Sequence, residues 1–366
     1  MNSRTIILLL LLFSTSLSAQ VLIKDQDTGE TIPFVHIFDS DGYLGAVSDI
    51  NGQIAQEDIL RLTQSAESIL NIQHIAYETR EIIPSVLADS KEILLTERSL
   101  ALDEIIVTPQ IDSYDYVRLR TFFRSYVLQD NEPLYYVDGI VSYYIPRKKG
   151  KTRIALEQHR IFHNKQLDAK NRLNNFFVNV SNKPGLPEQI DALSELNRKY
   201  NLRNYENGQY IVRKDSIVGY VHRKAETGQA IAHIDRLAPD SVKSFKLGSL
   251  RIEKNRGYGS TQYTSSCEKN SLGAKDIISA KEFYSTQFAH IKKELSVEIE
   301  TLKEIYVLDK SFIMKDDVSK IEFVKSHRIP AISSYQTEYW NELHQRNIPP
   351  IDLNFEKRLG ELLILE

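Results

Sequence analysis

One cysteine, Cys267, stands in 366 residues. An intrachain disulfide is therefore excluded, and a chain of this length must hold its fold through apolar cores. Cys267 lies in a Gly/Ser/Thr-rich stretch with no His or Asn motif beside it, so its expected role is that of a small, partly buried side chain. A surplus of one charge sign is also missing. The formal net charge of −3 gives the chain as a whole no electrostatic reason to bind nucleic acid or an anionic membrane. No later apolar run is long enough to cross a bilayer as a helix. The short motifs of common catalysts are absent too: no Gly-x-Ser-x-Gly elbow, no phosphate loop, no dinucleotide fingerprint. That lowers the enzyme reading without ending it, because a Ser/His/Asp set can assemble from distant segments.

What is present begins with an export signal. Arg4 gives the positive start, Ile6 to Phe13 the apolar core, and Ser14 to Ala19 the small-residue end. Residues 1–19 are expected to be a signal peptide, cleaved between Ala19 and Gln20. No Cys stands at that point to carry a lipid anchor.

The next stretch reads as short strands separated by turns. Thr28 to Pro33 runs from a turn into extended chain, and Phe34 to Phe38 alternates. Asp39-Ser40-Asp41-Gly42 and Asp49-Ile50-Asn51-Gly52 have hairpin-turn chemistry. Leu70 to Ile75, Glu92 to Leu95 and Glu104 to Val107 are further strands. Together they predict a small β-sandwich. The pieces Asp27 to Glu30, Ile32 to Val35, Val47 to Ile54, Ile75 to Glu78, Ile93 to Glu97 and Leu102 to Val107 resemble the carboxypeptidase regulatory-like domain. That domain is a transthyretin-like sandwich found at the N-terminus of many exported Bacteroidetes proteins. Two departures mark a divergent member: Gln20-Val21-Leu22 replaces the usual opening Gly, and Ala76 replaces the Gly before Tyr77. The resemblance covers residues 20–108. It implies an accessory interaction module and not a catalyst, since the His-x-x-Glu zinc motif of the metallocarboxypeptidases occurs nowhere in the chain.

Residues 109–113 read as a linker, and 114–366 as an α+β domain of unknown function with a mostly antiparallel sheet. Its element order resembles the lipoprotein-carrier half-barrels. Helices are expected over Tyr114 to Leu128, Leu186 to Tyr200, Trp340 to Gln345 and from Phe355 to Leu363. Ala274 to Glu294 reads as mixed or helical. Strands are expected over Leu134 to Ile145, Thr152 to Leu156, Gln209 to Arg213, Ile217 to Arg223, Ala230 to Leu237 and Ser244 to Asn255. Ser296 to Thr301, Ile305 to Leu308 and Ile321 to Val324 complete the strand set. Arg256 to Leu272, rich in Gly, Ser and Thr, reads as a mobile loop.

Candidate chemistry is sparse. His159 and His163 have a helical metal-binding spacing, but no third ligand is near, and on a strand they would lie too far apart for one zinc. Asp49-x-Asn51-Gly52 lacks the remaining ligands of a calcium loop, and the hairpin turn explains it. Tyrosines crowd residues 114 to 144. Sheet packing explains them first, with Tyr135 and Tyr143 the pair to inspect for a ligand. Arg147-Lys148-Lys149-Gly150-Lys151 reads as a solvated turn. The expectation is a non-enzymatic envelope protein in the periplasm or on the periplasmic face of the outer membrane. It would need no cofactor or metal and would bind a hydrophobic or glycan ligand or an outer-membrane protein, with no nucleic acid. The alternative is a hydrolase in which a Ser or Cys meets His222, His233 or His290, itself held by a carboxylate.

Overall fold

The computed structural model describes residues 21–39, 44–49, 51–64, 69–98, 114–130, 132–148, 150–167, 169, 186, 200–205, 208–223, 229–235, 243–264, 272–292, 295–324, 329–346, 348–351 and 364–365. The expected signal peptide with Ala19 and Gln20, the run Glu104 to Val107, the linker 109–113, Cys267 and the helix over Phe355 to Leu363 lie outside them. So does the helix over Leu186 to Tyr200, apart from its two end residues. The chain divides into two compact units, residues 1–98 and 99–366.

The first unit holds β1 (Val21–Asp25), β2 (His36–Phe38), β3 (Leu44–Val47), β4 (Gln53–Ile54), β5 (Leu70–Gln73), β6 (Arg80–Ile82) and β7 (Glu92–Leu95). They form a three-stranded sheet, β4-β1-β7, and a four-stranded sheet, β3-β2-β5-β6. Ile23, Ile54, Ile93 and Leu95 from one sheet and Ile37, Leu70 and Ile72 from the other are buried. Two short helices, Gln56–Leu62 and Pro84–Asp89, were not legible, because seven and six residues are too few for a 3.6-residue period to declare itself. The turn before β4 works as its residues suggest. Asp49 Oδ1 accepts the backbone N–H of Asn51 at 2.9 Å and of Gln53 at 2.8 Å. Gly52 takes a φ of +75°, and a Cβ there would sit 2.9 Å from the Ile23 carbonyl oxygen. The Asp49 carboxylate is thus spent on the turn.

The second unit is one long-stranded sheet. Its strands are β8 (Tyr116–Gln129), β9 (Glu132–Pro146), β10 (Arg153–His163), β11 (Asn201–Tyr205), β12 (Gly208–Arg213), β13 (Ser216–Arg223), β14 (Ala230–Asp235), β15 (Lys243–Leu247), β16 (Leu250–Tyr263), β17 (Ile277–His290), β18 (Leu295–Ile313) and β19 (Ile364–Leu365). The twelve strands run β11-β12-β13-β14-β16-β17-β18-β8-β9-β10-β19, with β15 paired to β16 off this path. Every pairing is antiparallel, and among the described residues the sheet does not close. A β-sandwich followed by a mostly antiparallel sheet domain is the expected fold class, and it is what forms.

Five local expectations are corrected. Ser244 to Asn255, expected as one strand, turns at Gly248-Ser249 and is divided between the antiparallel β15 and β16. Tyr114 to Leu128 is strand β8, not a helix. Both faces of this strand are covered: Val117, Leu119, Phe123 and Val127 on one, Phe122 and Tyr126 on the other. When both faces are apolar, a helical spacing can be picked out by chance from a period of two. Ala274 to Glu294 becomes β17, for the same reason. The first part of the supposed loop Arg256 to Leu272, Arg256 to Tyr263, is the far half of β16, and 265–271 lie outside the described residues. Gly259, Ser260 and Thr261 are small because they are buried between β14 and β17, not because the chain turns there. Ile321 to Val324 forms no strand, and Val324 only donates its N–H to the Ile154 carbonyl at 2.9 Å. The expected helix near Trp340 is a 3₁₀ helix, Tyr339–Arg346.

One face of the sheet is a continuous apolar core. The odd positions of β9, namely Tyr135, Val137, Val141, Tyr143 and Ile145, join Leu119 and Phe123 of β8, Ile305 and Val307 of β18, and Ile211, Val221 and Ala232 beyond. Gly139 interrupts the β9 row, where a Cβ would run into the Gln158 carbonyl of β10 and, at 2.8 Å, the ring of Phe123 opposite. The other face carries Phe122, Ile140, Tyr306 and Leu308, packed with Tyr339 and Ile348 of the C-terminal region.

Candidate functional site

Two features of the second unit stand out chemically. The first is a row of ionisable side chains crossing the face that Tyr339 covers. The registers align Lys281 of β17 with Glu304 of β18, Glu304 with Arg124 of β8, Arg124 with Asp138 of β9, and Asp138 with Arg160 of β10. Charges alternate along it. Lys281, Glu304, Arg124 and Asp138 are all buried. Glu304 pairs with the Arg124 guanidinium on one side and with Lys281 Nζ at 3.3 Å on the other. Burial pushes the Glu304 carboxyl up in pKa, but Arg124 and Lys281 overrule it and leave it at about 2. Arg160 Nε donates to Asp138 Oδ1 at 2.9 Å. The Tyr136 and Tyr339 hydroxyls also donate to Asp138, at 2.9 and 2.6 Å. The fifth charge, Arg160, lies 3.8 Å under the Trp340 ring. Arg124 Nη1 reaches the Pro349 carbonyl at 2.8 Å. The row therefore clasps residues 339–349 to the sheet. Its acids and bases hold one another, so it offers structure before chemistry. Sequence reasoning missed it. The signal was a lone Asp138 inside the apolar run of β9, with arginines at even positions of β8.

Two Ser–His contacts bear on the hydrolase alternative. His233 Nδ1 lies 2.9 Å from Ser260 Oγ, and both residues are buried. Burial takes the His233 pKa down to about 3, which makes a poor general base near neutrality. Ser249 Oγ lies 3.1 Å from His290 Nε2. The Nδ1 of His290 is buried without a hydrogen-bond partner, so among the described residues no carboxylate orients this imidazole as a catalytic one would need. His222 sits in β13 opposite Ile231 and Gly208.

The remaining candidates are placed as follows. His159 and His163 both lie in β10, where four residues of strand span roughly 13 Å, too far to share one ion. His163 stacks on Tyr135 at 4.5 Å. Tyr135 and Tyr143 both belong to the apolar core, and Tyr143 is fully buried. Arg147 of the basic turn lies 4.8 Å over the Tyr114 ring. No group of three or more metal-ligating side chains gathers among the described residues.

The second feature is where the apolar face runs out of cover. β15, β16, β17 and β18 extend as a tongue. β14 pairs with β16 only from Tyr258 onward, and β8 meets β18 only from Ile299 onward. Across the tongue Phe245 faces Ile252, Ile252 faces Phe288, and Phe288 faces Val297. One row further out, Leu247 faces Leu250, Leu250 faces His290, and His290 faces Leu295. Phe288 and Val297 pack on the core, whereas Phe245 is 51% exposed, Leu247 69%, Ile291 48% and Leu295 38%. The core face thus continues onto an open apolar surface at the ends of two adjacent hairpins. The opposite face of β15 and β16 carries Lys246 and Arg251.

The chain matches no family model and no curated protein.

Proposed function

We propose that this is an exported cell-envelope protein that works by binding and not by catalysis. Residues 20–108 would be a carboxypeptidase regulatory-like module that makes protein contacts. The long-stranded sheet of the second unit would carry the binding surface. The observation that carries this reading is the tongue: Phe245, Leu247 and Leu295 are exposed on the continuation of the buried core face, with Leu250 and His290 between Leu247 and Leu295 and exposed Ile291 in the adjoining turn. Contiguous exposed apolar surface of this kind marks an interaction site in soluble domains. The paired state of the ionic row supports it from the other direction, because its charges are committed to holding residues 339–349.

The test is photo-crosslinking in cells, with a benzophenone amino acid placed at Leu247 and, as a control, at exposed Ile217 in the β12–β13 hairpin. A discrete adduct, protein or lipid, from position 247 and not from 217 supports the reading. Equal, diffuse labelling from both positions would count against it. The hydrolase alternative rests on the Ser249–His290 contact. Labelling of Ser249 by a fluorophosphonate, lost in His290→Ala, would bring it forward.

A further inference from the structure

We infer that the tongue docks on an anionic lipid bilayer. This rests on the reading of the tongue as a binding surface and names the partner. Three observations lead there. The first is geometry. The turns at Gly248-Ser249 and Ile291-Lys292 sit beside each other, tied by the Ile291 N–H donating to the Ser249 carbonyl at 2.8 Å. Both hairpins therefore end at one edge of the sheet. β18 runs three residues, Leu295–Val297, past Glu298, where Asp130 of the β8–β9 turn still bonds to it, so the tongue stands off that hairpin by roughly 10 Å. A projecting end can reach a flat surface that the rest of the sheet cannot.

The second is sidedness. Strand alternation puts Phe245 and Leu247 on one face and Lys246 on the other, and the paired Ile252 and Leu250 repeat the division around Arg251. Large apolar side chains on one side and lysine or arginine on the other is the pattern of an element lying in a membrane interface. The apolar side enters the acyl boundary, while the cationic stems reach back to the headgroups. Here the element is a pair of hairpins in place of a helix.

The third is charge. The chain as a whole is acidic, at −3, yet Lys243, Lys246, Arg251 and Lys254 stand against a single Glu253 in the twelve residues of the β15–β16 hairpin tip, a local balance of +3. Glu253 lies 3.2 Å from Arg251 on the cationic face and leaves Lys246 as that face's outward charge, while the register puts Lys254 on the apolar side, next to Ile252 at the margin of the exposed row. That balance disfavours a second copy of the same chain, whose tongue would repel this one. It suits a surface of anionic headgroups, where each added cation strengthens adsorption and salt weakens it.

The experiment uses the full mature chain and two kinds of vesicle, phosphatidylethanolamine with phosphatidylglycerol and phosphatidylcholine alone, with binding read by co-sedimentation. Binding to the anionic vesicles is expected, weakening as salt rises. Phe245→Asp/Leu247→Asp should cut the partition at least ~10-fold. Lys246→Glu/Lys254→Glu should remove the preference for anionic vesicles. Ile217→Asp, an exposed apolar residue on another hairpin, should change nothing. These are surface positions, and an unchanged melting temperature confirms that each variant folds. No binding by the wild type, or binding indifferent to Phe245→Asp/Leu247→Asp, overturns the inference. If vesicles fail while Leu247 crosslinks to a protein, the binding surface stands and the lipid partner falls. If both fail, the surface itself is wrong.

Discussion

Arg124 and Glu304 lie 180 residues apart in the chain and form an ion pair across β8 and β18 with both side chains buried. Two charges removed from water are tolerable only while each holds the other. Here Lys281 adds a second cation to Glu304, and Pro349 offers its carbonyl to Arg124. Glu304→Gln leaves two buried cations without their anion. It should cost about 3–5 kcal/mol, read as a drop in the urea midpoint with little change in slope. A loss under about 1 kcal/mol would mean that water reaches the row.

Arg160 and Trp340 should be energetically coupled. The guanidinium lies 3.8 Å from the ring and has Asp138 as its other partner. A double-mutant cycle of Arg160→Met and Trp340→Leu should give about 1 kcal/mol of coupling. Protease cleavage within residues 339–349 should speed up in each single variant, because those residues lose one of their holds on the sheet. Additive energies and unchanged cleavage would show that the contact does not hold the segment.

The pH profile should carry three contributions, two overlapping at acid pH and one at alkaline pH. His233 falls from an ordinary 6.5 to about 3 when buried. The folded state then binds fewer protons than the unfolded between these values, so stability is complete above 6.5 and falls as pH drops through the window. Glu304, at about 2 against 4.5, adds its own loss only below 4.5. Between 4.5 and 6.5 the slope belongs to His233 together with His159, whose burial also lowers its pKa, and His233→Gln should reduce it without abolishing it. Lys310, buried and drawn down to about 8 from 10.5, acts at the other end. Stability should rise from pH 8 to 10.5, and Lys310→Met should remove that rise. Urea midpoints measured across the range check all three.

Gly52→Ala should destabilise the first unit by about 1–3 kcal/mol, since the residue takes a positive φ and its Cβ would meet the Ile23 and Ile32 backbone. A thermal melt of that unit is the check. A stabilising change would mean the turn can relax.

The small sandwich was legible because its signals are local. Asp49-Ile50-Asn51-Gly52 forms its turn from within four residues, and the bonds from Asp49 to Asn51 and Gln53 are those the residues suggest. The short gap between the expected strands Gln209 to Arg213 and Ile217 to Arg223 is likewise a tight turn, where Lys214 and Asp215 take positive φ. The second unit was harder because its long strands are covered on both faces. In β8 that hides the period of two behind Phe122, Arg124 and Tyr126, and in β16 burial selects the small Gly259, Ser260 and Thr261 that otherwise mark loops. The ionic row was hinted at only by Asp138 within an apolar run and the arginines of β8, and its partners could not be read. Lys281, Glu304, Arg124, Asp138 and Arg160 come from five strands, and only their registers bring them into line. The exposed tongue hid for a related reason: Phe245 and Leu295 look like ordinary core residues until the neighbouring strands are seen to stop short.

The most direct measurement is native mass spectrometry of the protein purified from the cells that make it, side by side with Phe245→Asp/Leu247→Asp. The account predicts added mass on the wild type, a retained lipid or a partner chain, and the bare chain mass for the variant. The bare mass for both, or the same added mass on both, would contradict the assignment of binding to the tongue.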